Sequence, residues 1–183
     1  MTLYTGKGDD GKTGLFGCDQ RVSKSSAIAE ALGCLDEINS LLGWCKVKAR
    51  EQSFKIDSAD VADVIGDLQQ DLFIIQAQLA GAAKNLVPEK VSRLEELIGE
   101  IEKSLPPIKT FFVAGGTELS AILDHSRTVA RRAERRVVSV SEEGVAKISA
   151  ESLALMNRLS SLLYALARLA NQQAGISEEV PKY

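Results

Sequence analysis

Residues 61–80 read VADVIGDLQQDLFIIQAQLA. Apolar residues recur there at steps of three and four: Val61, Ile65, Leu68, Leu72, Ile75, Leu79 and, just beyond, Ala82. This spacing places them on one face of an α-helix, in the heptad pattern of helices that pack against each other. The stretch therefore predicts a long helix, capped by Asp57 or Ser58, within a helical bundle.

Four further segments show the same kind of apolar stripe. One runs from about residue 24, capped by Ser23, to residue 50, and another is opened by Pro88 and stopped by Pro106-Pro107. The others run from a cap at Thr117 to about residue 140 and from 145 to 174. The only convincing strand pattern is FFV at 111–113. We predict an all-α, five-helix antiparallel bundle in one domain of residues 1–183. An arm (1–23) precedes the bundle (24–175), and a tail (176–183) that we expect to be frayed follows it.

The composition is that of a soluble globular protein. Of 183 residues, 45% are hydrophobic and 26% charged, and the net charge of −3 offers no basic field for nucleic acid. No apolar run reaches membrane-spanning length, and we see no signal peptide. Three cysteines without a C-x-x-C spacing fit the reducing cytoplasm, and a single histidine argues against a multi-histidine metal site.

The glycine-rich segment GKGDDGKT at 6–13 matches the phosphate-loop pattern. Its glycines leave amides uncovered, and its lysines and threonines can contact phosphate oxygens. The alternative is a mobile N-terminal arm, and the segment alone does not decide between the two. A true P-loop needs a buried strand before it, a helix after it and a parallel sheet, none of which this sequence predicts.

An arginine-rich segment, RTVARRAERR at 127–136, lies on the fourth predicted helix. Arg127, Arg131 and Arg135 follow each other one turn apart and form a cationic stripe that suits a polyphosphate. The alternative is a solvated face or a patch of ion pairs between subunits. On the first helix, Asp36 lies between Leu35 and Ile38, so we expect it to be partly buried and to need a cation.

Other side chains give weaker signals. Asn157, Ser161, Tyr164, Arg168 and Asn171 form a polar line on the last helix, which suits solvent, a ligand or another subunit. We expect Trp44 and Phe73 to lie in the core, whereas Phe111 and Phe112 sit in a glycine-containing loop. His125 has no evident partner, and we find no Ser-His-Asp or Cys-His arrangement, so a protein nucleophile has little support.

Together, several segments resemble the PduO-type ATP:cob(I)alamin adenosyltransferases. They are TGKGDDGKTGLFG, RVSK, LGCLDEINSLLG, LQQDLF, FFVAGG, SRTVARRAERRVV and NRLS, in the family's order and over nearly the whole chain. The resemblance implies a homotrimer with sites between subunits and transfer of the 5′-deoxyadenosyl group from ATP to the cobalt of cob(I)alamin. It implies ATP, Mg²⁺ held mainly by ATP rather than by the protein, and cobalamin as ligands. A cobalamin reductase and an adenosylcobalamin-dependent enzyme are the expected partners.

The resemblance also implies roles for individual residues. Phe111, with Phe112 as the neighbouring alternative, would face cobalamin and displace its lower axial base, and Asp36 and Arg127 would bridge two subunits. Arg132 would join these three as a catalytic residue. The positions matching the ATP site are Thr5, Gly6, Lys7, Gly8, Asp9, Lys12, Thr13, Lys24, Arg131, Arg132, Glu134 and Asn157.

The chain departs from the usual family pattern at Lys7, Ala114, Asp124 and Ser161. Two alternatives to an active enzyme therefore remain. One is a nucleotide or cobalamin carrier that has lost catalysis, and the other is a structural bundle whose arginines only join subunits.

Overall fold

A computed structural model describes residues 3–15 and 20–182. Five helices dominate this part of the chain: α1 (Ala27–Glu51), α2 (Val61–Leu79), α3 (Pro88–Ser104), α4 (Glu118–Glu142) and α5 (Ala150–Gln173). Four short strands, β1 (Lys12–Gly14), β2 (Arg21–Ser23), β3 (Lys55–Ile56) and β4 (Ala59–Asp60), pair as two antiparallel hairpins. The predicted five-helix, all-α architecture is confirmed, but residues 111–113 are not a strand.

Cross-helix side-chain pairs define the arrangement of the bundle. Helix α1 packs between α2 and α4, and α5 packs between α4 and α3. Pairs at both ends show that α1 is antiparallel to α2 and to α4, and that α4 is antiparallel to α5. Helix α3 runs alongside α5 in the same direction, because α4 returns the chain between them. The defining pairs are Arg50–Asp63, Asn39–Gln69, Lys48–Glu118, Glu30–Arg136, Glu134–Asn157, Thr117–Asn171, Glu95–Arg158 and Ser104–Gln172.

The heptad residues of α2 form part of one continuous core. Leu72 and Ile75 are fully buried, as are Leu35 and Leu42 of α1, and each such side chain contributes about 1.5–3 kcal/mol on leaving water. The expectation that Trp44 and Phe73 belong to this core is wrong, since they are 50% and 55% exposed. Among the described residues, no helix is long and apolar enough to cross a bilayer.

Helix starts follow the capping chemistry, though not always at the predicted residue. Pro88 opens α3 and Thr117 caps α4, as predicted. Helix α1 is instead capped by Ser26, because Ser23 pairs with Lys12 in the β1–β2 hairpin. Asp60, rather than Asp57 or Ser58, caps α2 after the β3–β4 hairpin, and α5 begins only after Ser149.

As far as residue 182, the C-terminal tail is not frayed, contrary to expectation. Glu178 forms an ion pair with Arg168 of α5, with 2.7 Å between Oε1 and Nε. The backbone amide of Val113 donates to the carbonyl of Glu179 at 2.8 Å. The tail therefore lies against the loop between α3 and α4.

Candidate functional site

The glycine-rich arm folds into a closed turn beside the β1–β2 hairpin. Gly6 and Gly11 adopt φ values of 68° and 76°, in the left-handed region that favours glycine. Arg21, which the sequence reasoning missed, donates from Nη2 to Asp10 Oδ1 at 2.8 Å and to the carbonyl of Lys12 at 3.1 Å. It also donates to the carbonyl of Lys7. One guanidinium group thus holds the arm in shape.

Lys24 lies directly against this turn. Its backbone amide donates to the carbonyl of Gly11 at 2.9 Å, and its Nζ lies 3.1 Å from the position that a Cβ on Gly8 would occupy. A side chain at residue 8 would therefore displace the ammonium group. The turn brings the predicted phosphate-binding lysine together with the predicted arm residues: Thr5, Gly6, Lys7, Gly8, Asp9, Lys12 and Thr13.

A second group of predicted residues lies where α4 meets α1. The Arg132 guanidinium donates from Nη2 to Glu37 of α1 and pairs with its carboxylate. The Glu37 carboxylate further raises the pKa of Arg132. Arg132 Nε is buried and has no hydrogen-bond partner within the described residues, and such an unsatisfied donor is costly. The neighbouring Cys34 is buried, which raises the pKa of its thiol.

A recess of about 320 Å³ opens between α4 and α5. Asn157 donates from Nδ2 to Glu134 Oε1 at 3.0 Å, so these two predicted residues meet across the helices. Arg131 and Arg135 also line the recess, and neither forms an ion pair with any described residue. The recess therefore offers two guanidinium groups without a close ion pair, beside the carboxylates of Glu134 and Glu142.

A larger cleft of about 650 Å³ lies on the other side of Arg131, which lines both spaces. Phe111, Arg127 and Tyr164 border this cleft. The Arg127 guanidinium pairs with Asp124, with 2.7 Å between Nε and Oδ1, and stands 5.9 Å from the centre of the Tyr164 ring. Burial raises the pKa of the Tyr164 hydroxyl. The cleft is thus aromatic at its edges and cationic along α4.

The two phenylalanines of the loop point to different environments. Phe111 is 78% exposed at the cleft, whereas Phe112 is half-buried, with its ring 5.1 Å from the Arg168 guanidinium carbon. Asn171 fixes the next part of the loop by donating to the Gly115 carbonyl at 2.9 Å and accepting from the Thr117 amide at 3.0 Å. From Ser161 to Asn171, the predicted polar line on α5 therefore faces this loop and the cleft, whereas Asn157 faces the recess.

Asp36 does not fit the expectation of partial burial. It is exposed on the outer surface of α1, because the inward positions are taken by Leu35 and Ile38. Within the described residues it forms no ion pair, and Arg127 is paired with Asp124 instead. The predicted bridge between Asp36 and Arg127 is thus not made inside one chain.

The arm and the α4–α5 recess are also separate in one chain. Within the described residues, no hydrogen bond or ion pair joins residues 5–13 to Arg131, Arg132, Glu134 or Asn157. A cavity of about 720 Å³ near Gln78 and Lys147 is lined by none of the predicted site residues. No group of three or more His, Cys, Asp or Glu side chains capable of holding a metal ion occurs in the described ranges.

Comparison with known proteins identifies the family. Residues 3–170 match the cobalamin adenosyltransferase family. The corrinoid adenosyltransferase PduO of Salmonella typhimurium is 36% identical over 100% of this chain and 54% of its own length. The chain thus spans about half the length of that relative. The Bacillus subtilis corrinoid adenosyltransferase is also 36% identical, over 97% of this chain and 91% of that protein.

Solved structures agree with the sequence comparison. A phenylalanine-to-alanine variant of the PduO-type ATP:corrinoid adenosyltransferase from Lactobacillus reuteri, complexed with cobalamin and ATP, superposes with a TM-score of 0.86. It is 29% identical and the match covers 100% of both chains. An arginine-to-lysine variant of the same enzyme, complexed with ATP, gives a TM-score of 0.83 at 30% identity, over 98% of this chain and 100% of that one. The chain belongs to the cobalamin adenosyltransferase family.

Proposed function

We propose that the chain transfers the 5′-deoxyadenosyl group of ATP to the cobalt of cob(I)alamin. The observation that carries the proposal is the full-length match to an ATP:corrinoid adenosyltransferase complexed with both cobalamin and ATP. In this reaction Co(I) attacks C5′ of ATP with its own electron pair, and the C5′–O bond breaks. The bond electrons leave with tripolyphosphate, and the product is adenosylcobalamin.

The protein's task in this reaction is positioning and charge stabilisation. Because the cofactor supplies the nucleophile, the lack of a Ser-His-Asp or Cys-His arrangement is no obstacle. Negative charge develops on the leaving triphosphate, and fixed guanidinium groups stabilise it. Arg131 and Arg132 are suited to this, since Arg131 has no ion-pair partner in the described ranges and the Arg132 guanidinium is partly exposed.

The two spaces on either side of Arg131 suit the two substrates. We assign the recess with Glu134 and Asn157 to the nucleotide and the cleft with Phe111 to the corrinoid. Arg131 lines both, so a triphosphate and a corrinoid placed there would be neighbours. Phe111 is the better candidate for displacing the lower axial base, because its ring is 78% exposed whereas Phe112 faces Arg168.

We further propose that the active unit is a homotrimer in which the arm of one chain closes over the recess of the next. The separation of the arm from the recess within one chain supports this arrangement, as does the exposure of Asp36. Lys24 and the arm glycines would then contact the phosphates, and Mg²⁺ would enter bound to ATP. Asp36 would pair with Arg127 of a neighbour.

The reaction also requires a source of Co(I), an enzyme that uses the product and a reducing compartment. Co(I) must be regenerated from Co(II) by a reductase, and adenosylcobalamin must pass to an enzyme that uses it. A strongly reducing cofactor is handled most readily in the reducing cytoplasm, where we place the chain.

An anaerobic assay tests the proposal. Reduced cobalamin mixed with the protein and Mg-ATP is expected to change from the visible spectrum of cob(I)alamin to that of the light-sensitive alkylated product. Saturating Mg-ATP at about 100 times its dissociation constant adds about 2.7 kcal/mol of stability. The melting temperature should then rise by roughly 5–10 °C.

The two alternatives give different results. A carrier would show the thermal shift without alkylation, and a structural bundle would show neither. Either outcome rules out the proposed adenosyltransferase activity.

A further inference from the structure

The loop that carries Phe111 is held on its inner side by one buried arginine. Arg168 is 6% exposed, and its Nη2 donates to the carbonyl of Pro106 at 3.0 Å while its guanidinium faces the Phe112 ring. A single α5 side chain therefore contacts both ends of the segment from Pro106 to Phe112, which borders the 650 Å³ cleft.

The C-terminal tail supplies the counter-charge for this arginine. Glu178 accepts from Arg168 Nε at 2.7 Å and from Nη2 at 2.9 Å, the two-point geometry of a strong carboxylate–guanidinium pair. The Glu178 side chain is itself 19% exposed. Because a buried cation without its partner is costly, Arg168 depends on the tail for its position.

A second contact ties the tail to the same loop. The Val113 amide donates to the Glu179 carbonyl at 2.8 Å, two residues beyond Phe111. Glu178 and Glu179 thus fix Phe112 and Val113, and Phe111 is the neighbour left free to face the cleft. Both glutamates lie beyond residues 3–170, the segment that matches the family.

We propose that Glu178 is a positioning residue that, through Arg168, fixes the Phe111 loop for the corrinoid. The role rests on the proposed function, because it assigns the adjoining cleft to cobalamin. Glu178 does not contact a substrate. It fixes the position of the loop relative to the cleft, so its loss lowers productive corrinoid binding. The nucleotide recess lies on the far side of Arg131 and is unchanged.

The central test compares Glu178→Gln with Glu179→Gln. The two variants remove the same charge one residue apart, but only Glu178 uses its side chain, since Glu179 contributes its backbone carbonyl. Hydrogen exchange across residues 108–116 is expected to become about tenfold faster in Glu178→Gln and to stay at the wild-type rate in Glu179→Gln. Equal exchange in both variants overturns the proposal.

Kinetics then tests the consequence for the corrinoid. In Glu178→Gln, we expect the KM for cob(I)alamin to rise about tenfold while the KM for ATP stays within twofold. The fraction of cob(II)alamin that loses its lower axial ligand in the presence of Mg-ATP, measured by electron paramagnetic resonance, is expected to fall. Glu178→Asp keeps the negative charge, so it should recover part of the wild-type KM for cob(I)alamin and part of the wild-type fraction of cob(II)alamin without a lower ligand. A parallel loss of ATP and corrinoid parameters indicates a general structural defect and refutes the positioning role.

Two further measurements, on a truncated chain and on wild-type alkylation, separate the positioning role from the proposed function. A chain truncated after Gly175 removes both tail contacts and is expected to exceed Glu178→Gln in loop exchange, with the far-ultraviolet circular dichroism of the helices unchanged. If the wild-type chain forms no cobalt–carbon bond, the proposed function is wrong, and the exchange comparison alone decides whether Glu178 holds the loop.

Discussion

Replacing Arg132 with alanine is expected to remove most of the activity while leaving the fold nearly intact. The stability cost is small because the ion pair with Glu37 is half-exposed, at 43% and 49% of the two side chains. Pairs of this kind contribute about 0.2–1 kcal/mol. For a chain of this size, 1 kcal/mol corresponds to about 2–4 °C in melting temperature. The variant should therefore melt within about 4 °C of the wild type.

The effect on catalysis is much larger. A fixed donor directed at a charge that develops in the transition state is worth about 2.7–4 kcal/mol, or a hundredfold to a thousandfold in kcat. The Arg132 side chain is 43% exposed, so its guanidinium can contact a ligand while it pairs with Glu37. Activity should fall by at least a hundredfold.

Anaerobic turnover with Mg-ATP, together with thermal melting, measures both effects. Arg136→Ala is the matched control, because Arg136 lies one turn further along α4 and pairs with Glu30 of α1 at 3.7 Å. Arg136→Ala should lose about as much stability as Arg132→Ala and keep the wild-type activity. The reasoning is refuted if Arg132→Ala melts more than 8 °C below the wild type, or if it retains more than a third of the activity.

Four other variants test separate features. Gly116→Ala should lower the melting temperature by roughly 4 °C or more, because φ is 99° and a Cβ would overlap an α5 side chain. Gly99→Ala, with open space around it inside α3, should be neutral or stabilising. Asp36→Ala should reduce both trimer content in sedimentation and turnover, and an intact, fully active trimer would contradict the intersubunit pair. Burial raises the pKa of Asp71, so wild-type stability should fall relative to Asp71→Asn as pH rises from below 4 through that pKa, which melting from about pH 3 to 8 measures.

Local signals in the sequence predicted the helices well. The period of apolar residues in α2, the first-turn proline of α3 and the Thr117 cap of α4 each depend on a few consecutive residues. The wrong predictions occur where a contact between residues distant in sequence determines the local structure. Ser23 has the chemistry of a cap, but pairing with Lys12 places it in a strand and leaves Ser26 to cap α1.

The candidate site shows the same division between local and distant information. The arginines of α4 were found from their spacing, whereas Glu37 and Arg21 were missed because their partners lie 95 and 11 residues away. The tail was expected to fray, and its contacts with Arg168 and Val113 were missed. Arg168 was counted only as part of a polar line, although its unusual burial makes an acidic partner necessary.

The distribution of charge on α4 is difficult to explain without an anionic ligand. Arg127, Arg132 and Arg136 each have a carboxylate partner, in Asp124, Glu37 and Glu30. Arg131 and Arg135, one turn apart on the same face, have none within the described residues. Like charges at this spacing repel each other by a few tenths of a kcal/mol, and a purely structural face would have gained by pairing them as it paired the others. Both side chains line the recess, where Asn157 holds Glu134 and Glu142 is a second carboxylate. A triphosphate bound there would supply the close ion pairs that neither glutamate forms with Arg131 or Arg135.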